Sequence, residues 1–375
     1  MPLPLIAVFA EVPDPRRETE NELHRLGDIL VLATCAVIGG AESRDSIQAY
    51  GETKKAFFLR HLKLPNGIPS ADTFERVFAQ LDPVAFTRAF GRWMSAACEA
   101  TGRIPIALDG KSVRGSKKAP ATGCLHLVSA WATSRRLTLG PVSVPEGPNE
   151  IAAIPALLSI RALKGASVTL DAAGCQEAIA EQIRERGGDY LLAVKGHQPT
   201  LFAAVEQVFA DACERDFADV SHDGDSTVGD GHGRREQRYV AVIRDPKGLP
   251  EGWADVAAVV PVNRGREIGG TNTSRTHYDI TSHRGPAKGI AGWVRGHWGI
   301  ENGLHGILDV VFREDDGRKR AGHAGANRAM IRRVAVSLLR HAPGKGSSAT
   351  KRLKAGWNDD DLLQVLQGIT DDIVR

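Results

Sequence analysis

The hydrophobic pattern of the chain changes period near residue 104, and this change constrains the fold more than any other feature. Before it, residues 15–100 are predicted to be helical, with the last helix over 83–100. After it, the pattern predicts three strands at 104–109, 125–132 and 137–144, then helix 149–159, strand 168–171, helix 176–186, strand 189–195 and helix 199–214. Three strands followed by alternating helices and strands predict a mixed α/β sheet.

Residues 216–288 interrupt this alternation and are predicted to form a β-rich insertion. A loop rich in Gly, Asp and His, residues 221–232, precedes strand-like segments at 239–243, 256–262 and 276–280. The turn between the last two is predicted at 263–265, followed by Gly269-Gly270. The predicted domains are therefore an N-terminal helical region (1–100), a first part of the core (101–215), the insertion (216–288), a completing part of the core (289–345) and a tail (346–375).

Three acidic residues are the candidate catalytic groups. Asp109 ends the apolar run 104–108, Asp171 ends 167–170, and Glu301 lies in a predicted helical stretch over 293–308. A mixed sheet can place the two aspartates on adjacent strands, and a helix across that edge can add the glutamate. Bare carboxylates about 4 Å apart repel by roughly 4 kcal/mol at an effective dielectric near 20. Divalent metal ions reverse that penalty and support phosphodiester chemistry, and Mg²⁺ suits carboxylate ligands.

The same residues also fit different roles. Each aspartate alone is better accounted for by a turn or a strand end, and only the combination favours a metal site. His297, Glu301 and His305 are four apart on one helical face and offer zinc ligands, but the absence of the HExxH spacing and of a nearby cysteine disfavours a zinc site. Residues 109–112 (DGKS) match the end of a P-loop, but Pro105 stands where its first glycine is needed.

Composition and charge narrow the functional class. The 375 residues carry a net charge of +3, and 42% hydrophobic with 25% charged residues are ordinary for a soluble enzyme. The apolar run 29–41 is too short to span a bilayer, no signal peptide is evident, and five separated cysteines without a CxxC favour the reducing cytosol. Residues 313–354 contain twelve Lys and Arg but only three acids, which indicates either a phosphate-binding surface or a solvated helix. The N-terminal helices similarly predict either a DNA-binding unit or a packing domain.

Three segments carry a resemblance to a known family. They are 108–116 (LDGKSVRGS), 169–176 (TLDAAGCQ) and 297–305 (HWGIENGLH), with support at 67–73, 189–196, 232–236 and 312–320. Together they strongly resemble bacterial insertion-sequence transposases of the H-repeat-associated type, over about residues 25 to 340. The resemblance implies a DDE transposase with a ribonuclease-H-like core, cytoplasmic and nucleoid-associated, that cuts the ends of an insertion element and joins them to target DNA.

The resemblance also implies roles for particular residues. Asp109, Asp171 and Glu301 are the expected metal-binding triad, for two Mg²⁺ ions with Mn²⁺ as a substitute. The expected partners are double-stranded DNA, as terminal inverted repeats and target, and a second copy of the chain on DNA; no membrane is expected. Expected DNA contacts, each with packing or ordinary surface charge as the alternative, are Lys111, Arg114, His297, Asn302, Arg318 and Arg320.

The surroundings of Glu301 depart from the wider family pattern. Related transposases often place Tyr, Arg and Lys seven before, four before and seven after the glutamate, where this chain has Val294, His297 and Leu308. These phosphate-contact roles are therefore not transferred. Two further functions remain alternatives: a nuclease of the same fold that cuts without transposing, and a domesticated protein that only binds DNA.

Overall fold

The chain folds into two units. The computed structural model describes residues 3–16, 23–99, 105–117, 124–144, 150–159, 163–231, 234–318 and 321–374. Unit 1 comprises residues 1–102, 110–160 and 300–375, and unit 2 comprises 103–109 and 161–299. Strand β1 (Pro105–Val113) contributes its first half to unit 2 and its second half to unit 1.

Unit 2 is a mixed sheet with helices on its faces. Beside β1 it contains β4 (Ser167–Leu170), α8 (Glu177–Glu185), β5 (Asp189–Val194), α9 (Pro199–Glu214), β6 (His222–Gly231), β7 (Arg234–Arg244), β8 (Ala258–Ile268), β9 (Thr271–Thr281) and α10 (Ala287–His297). Its strand order is β1-β4-β5-β9-β8-β7-β6. The first three strands are parallel, and every later pair is antiparallel.

Helix α10 covers one face of this sheet. Its buried residues Ala287, Ile290, Ala291 and Val294 recur at helical spacing. They pack against alternate residues of the antiparallel strands, which are Val240, Val242, Ala258, Val260 and Val262. These buried residues of β7 and β8 therefore lie beneath a helix.

The insertion pairs directly with the core, and two details of its prediction were wrong. The segment expected to be a loop is strand β6, which pairs residue for residue with β7 from His222↔Ile243 to Gly231↔Arg234. The turn between β8 and β9 is Gly269-Gly270 alone, where both glycines have positive φ, and 263–265 lie inside β8. In both places, backbone pairing with a neighbouring strand prevails over the weak β propensity of Gly, Asp and Asn.

Unit 1 contains the remaining strands and most of the helices. They are α1 (Pro4–Ala10), α2 (Leu26–Ile38), α3 (Arg44–Thr53), α4 (Lys55–His61), α5 (Ala71–Gln80), α6 (Pro83–Glu99), β2 (Leu125–Ala132), β3 (Leu137–Ser143), α7 (Glu150–Ser159), α11 (Gly306–Val310), α12 (Ala324–His341), α13 (Ser348–Trp357) and α14 (Asp359–Val374). Its strands follow the order β3-β2-β1, with β2 and β3 antiparallel. The helical nature of the N-terminal region is confirmed, and α5 is capped by Ser70, whose side chain accepts from the Thr73 N–H.

The predicted fold class, a mixed α/β sheet of the ribonuclease-H-like type, is confirmed. Predicted strands 125–132 and 189–195 correspond closely to β2 and β5, and predicted helix 199–214 coincides with α9. Within the described residues, no helix combines the length and apolar character needed to cross a bilayer.

Candidate active site

Asp109 and Asp171 lie next to each other on parallel strands. The last paired residues of β1 and β4 are Leu108 and Leu170, so the next residue on each strand is an aspartate. Neighbouring strands are about 4.8 Å apart, and residues at the same level share a face of the sheet. The predicted meeting of the two aspartates is therefore present in the fold, at an edge where α/β sheets commonly bind ligands. One detail differs: β4 ends at this point, whereas β1 continues past Asp109 to Val113.

The Asp171 carboxylate is held by the turn that follows it. Its Oδ1 accepts hydrogen bonds from the backbone N–H groups of Ala173 at 3.1 Å and Gly174 at 3.3 Å. Leu170 packs closely against Gly174, because a Cβ on Gly174 would lie 2.8 Å from Leu170 Cδ2 and 3.0 Å from Leu170 Cβ. Both bonds use Oδ1, so Oδ2 is the oxygen left to meet a ligand.

His297 is buried behind Asp171. Its Nδ1 is 2.9 Å from Thr169 Oγ1, and its side chain is only 8% exposed. Burial lowers the pKa of His297, while the Asp171 charge and the bond to Thr169 oppose that shift. This position favours the packing alternative for His297 over direct phosphate contact, because α10 ends here against β4.

A third acid, Asp279, shares the row of the two aspartates. Leu170 is level with Leu192 of β5, and Ala193 is paired with Asp279 of β9. Asp279 therefore lies on the same face, two strands and roughly 10 Å from Asp171. It is buried, and its Oδ2 has no hydrogen-bond partner among the described residues.

The charge of Asp279 is strongly affected by its surroundings. Burial raises its pKa to about 7, and Arg264 and Lys195 oppose this rise. Sequence reasoning missed Asp279 because only strand register aligns it with Asp171. The available signal was an acid between the hydrophobic residues Tyr278 and Ile280 near the end of a predicted strand.

Glu301 belongs to unit 1 and begins an irregular helical turn. Residues Glu301–His305 form a π-helical turn, in which the Gly306 N–H bonds to the Glu301 carbonyl, and Glu301 itself is exposed. Such turns occur frequently at functional sites. The predicted helix over 293–308 is thus replaced by α10, this turn and α11. Among the described residues, no three His, Cys, Asp or Glu side chains come together as a metal-holding group, and this includes the zinc alternative.

Lys111 lies in an internal ion-pair cluster of unit 1. Its Nζ is 2.7 Å from Asp309 and 3.2 Å from Asp315, and the side chain is 8% exposed. Arg114 contacts Asp315 at 3.5 Å but is 86% exposed. Lys111 is thus already paired with protein carboxylates, whereas Arg114 is available to an external phosphate.

The remaining predicted DNA contacts lie in unit 1 or outside the described residues. Asn302 is exposed in the π-helical turn. Arg318 is exposed beside a cavity of about 500 Å³ that Arg328 and Arg332 also line. Arg320 lies outside the described residues.

Comparison with known proteins decides the family. Residues 100–338 match the model of the transposase DDE domain, and residues 6–94 match the DDE_Tnp_1-associated model. The chain belongs to the DDE transposase family. The match to the transposase DDE domain confirms the expected family and covers the two strand-end aspartates, Asp279 and Glu301.

Relatives of similar length support this membership in the DDE transposase family. The chain is 35% identical to YncI of Escherichia coli O157:H7, named as a candidate transposase, over 96% of this chain and 94% of that protein. It is 36% identical to YhhI of Escherichia coli K12, named as an H repeat-associated candidate transposase, over 95% of this chain and 96% of that protein. Among solved structures, a piggyBac transposase synaptic complex with hairpin DNA matches with 11% identity and a TM-score of 0.40, over 99% of this chain and 78% of that one.

Proposed function

We propose that this DDE transposase cleaves DNA at the ends of an insertion element and joins them to target DNA in a metal-dependent reaction. The observation that carries the proposal is the juxtaposition of Asp109 and Asp171 at one level of adjacent parallel strands. Two acids at one level of a sheet repel each other unless a cation or proton lies between them. In a family that acts on phosphodiesters, holding a divalent cation is a function for this pair of aspartates.

The two aspartates fit a hard divalent cation. Carboxylate oxygens are the ligands that Mg²⁺ prefers, and it keeps several waters when only one or two carboxylates bind it. Asp171 offers Oδ2 from a carboxylate already oriented by two backbone N–H groups. Bound Mg²⁺, or Mn²⁺ in its place, supplies charge stabilisation and a more acidic bound water; two ions are expected, with Glu301 as the third protein ligand.

The remaining residues orient these carboxylates. The hydrogen bond between the Thr169 and His297 side chains attaches the end of α10 to β4, two residues before Asp171. Because Thr169 and Asp171 are two residues apart on one strand, their side chains share a face. His297 is thus a positioning residue in this proposal.

Double-stranded DNA is the proposed partner, as terminal repeats and as target, with two or more copies of the chain on paired ends. The N-terminal region 1–100 is proposed to bind DNA, residues 101–215 and 289–345 to form the catalytic core, and 216–288 to be an insertion into it. The proposed setting is the cytoplasm, at the nucleoid.

Cleavage of DNA that carries the element's own ends tests the proposal. Asp109→Asn, Asp171→Asn and Glu301→Gln should each lose cleavage in Mg²⁺ by several orders of magnitude while still binding the DNA. The control is Asp219→Asn, an exposed acid of unit 2 that should cleave like the wild type. Unchanged nicking by the three variants would refute the proposal.

Supplying pre-cut ends with a target plasmid separates the related functions. A transposase joins the ends to the plasmid, a nuclease only cuts, and a domesticated DNA-binding protein does neither. Joining by the wild type and its loss in Asp171→Asn is the expected result.

A further inference from the structure

Three arginines form one row across the insertion strands of unit 2. Arg238 of β7 is paired with Arg264 of β8, and Arg264 is paired with Arg275 of β9. We call these three residues the arginine row. Residues directly opposite each other share a face, so three positive charges stand side by side.

The arginine row lies on the face that carries the aspartates. Arg275 is four residues before Asp279 on β9, so the period of two places both side chains on one face. Asp279 is in turn level with Asp171. Arg275 is two strands from Asp171 and Arg264 is three, and both lie four residues further along the strands. The backbone separation of each from Asp171 is therefore roughly 15–20 Å.

The fold does not neutralise this row. Arg238 pairs with Glu236 at 3.2 Å, but neither Arg264 nor Arg275 forms an ion pair in the part of the chain that the structure describes. Like charges directly opposite on neighbouring strands destabilise a sheet. The row is therefore a cost to folding that no ion pair within the described residues offsets at Arg264 and Arg275.

Arg264 is held in place by an aromatic ring and forms no ion pair within the described residues. Its guanidinium lies 5.2 Å from the centre of the Trp298 ring, and its Nε is buried with no hydrogen-bond partner within the described residues. Burial and the neighbouring Arg238 lower the pKa of Arg264, and the charges of Asp279 and Glu236 oppose this shift. A half-buried guanidinium stacked on an aromatic ring is oriented for an anion, because Arg presents a rigid set of donors.

We infer that the arginine row contacts the phosphate backbone of DNA beside the aspartate pair. This inference rests on the proposed function and assigns that site a second point of contact with its substrate. A duplex that passes over the aspartates has phosphates at this distance, and binding them neutralises the charges that the fold leaves adjacent. Such contacts position the DNA without selecting its sequence.

Equilibrium binding of a labelled DNA duplex at several salt concentrations tests the inference, in an Asp171→Asn background that does not cut it. Each phosphate contact contributes about 0.9 to the slope of log affinity against log salt concentration. Arg264→Ala and Arg275→Ala should each reduce the slope by about 0.9, and the double variant by about 1.8. The affinity advantage of the parent over each single variant should shrink by about 3.5-fold between 50 mM and 200 mM salt.

The control is Arg266→Ala on the same strand. Arg266 has the same charge but pairs at 3.2 Å with Glu236, which it shares with Arg238, so its loss should reduce the slope less than the loss of Arg264 or Arg275. Arg275→Lys keeps the charge and should keep the slope. Because Arg275 is exposed and lies in a row of like charges, Arg275→Ala should unfold at the same or a higher temperature than its parent.

Two results would overturn the inference. One is a slope for Arg264→Ala and Arg275→Ala equal to that of Arg266→Ala. The other is loss of binding by both Arg275→Ala and Arg275→Lys together with a lower melting temperature, which is a folding defect. If the wild type cuts DNA and the variants give either result, only this inference is refuted. If the variants give the expected slopes but the wild type never cuts DNA, only the proposed function is refuted.

Discussion

Replacing Asp279 with asparagine is expected to stabilise the folded protein, and more so as the pH rises. Asp279 is buried, and its pKa is raised from 3.8 to about 7. Between these values the folded state holds a proton that the unfolded chain has released, so the free energy of unfolding falls as pH rises. From the two pKa values, the raised pKa of Asp279 lowers the free energy of unfolding by roughly 2 kcal/mol at pH 5 and roughly 4 kcal/mol at pH 8.

Asparagine has nearly the same shape and no charge to lose, so Asp279→Asn should remove this cost. Urea unfolding of the wild type and the variant at pH 5 and pH 8, with a chelator present, measures the difference by linear extrapolation. The stabilisation should be larger at pH 8 by roughly 2–3 kcal/mol. Asp219→Asn, an exposed acid of the same unit, is the control and should change stability little at either pH. Equal effects of Asp279→Asn at both pH values, or destabilisation at pH 8, would refute the reasoning.

Three further changes in unit 1 have defined outcomes. Glu314→Ala breaks a fully buried ion pair with Arg333 at 2.8 Å and leaves the buried guanidinium without a counter-charge. In urea unfolding, this should lower the free energy of unfolding by about 3–5 kcal/mol. A loss below about 1 kcal/mol would contradict the expectation. Gly322→Ala adds a Cβ at a residue with φ +49, and that Cβ would lie only 2.4 Å from the Ala79 carbonyl oxygen. The melting temperature of the variant should therefore fall by several degrees. An unchanged melting temperature would show that the loop relaxes to accept the methyl group. Lys111→Met removes the cation between two acids and should destabilise by about 1–3 kcal/mol in urea, whereas unchanged stability with weaker DNA binding would assign Lys111 to the substrate instead.

The sequence by itself determined the kinds of elements, their order and one part of the site. Hydrophobic period and turn residues identified β2, β5 and α9 almost to the residue, because each pattern depends only on neighbours along the chain. The apolar runs before Asp109 and Asp171 likewise predicted two acids at strand positions, and the parallel pairing of β1 with β4 places them side by side.

Tertiary structure alone decided what depends on register. Strand β6 has the composition of a loop and is a strand because β7 pairs with it. Asp279 joins the row of the aspartates, and Arg238, Arg264 and Arg275 align, only through pairings between residues far apart in sequence. A shift of one residue in any of these strands would turn its side chains to the other face, and local sequence does not encode that choice. Lys111 shows the same dependence on residues far apart in sequence. The sequence favours a DNA contact for it, whereas the fold pairs it with Asp309 and Asp315.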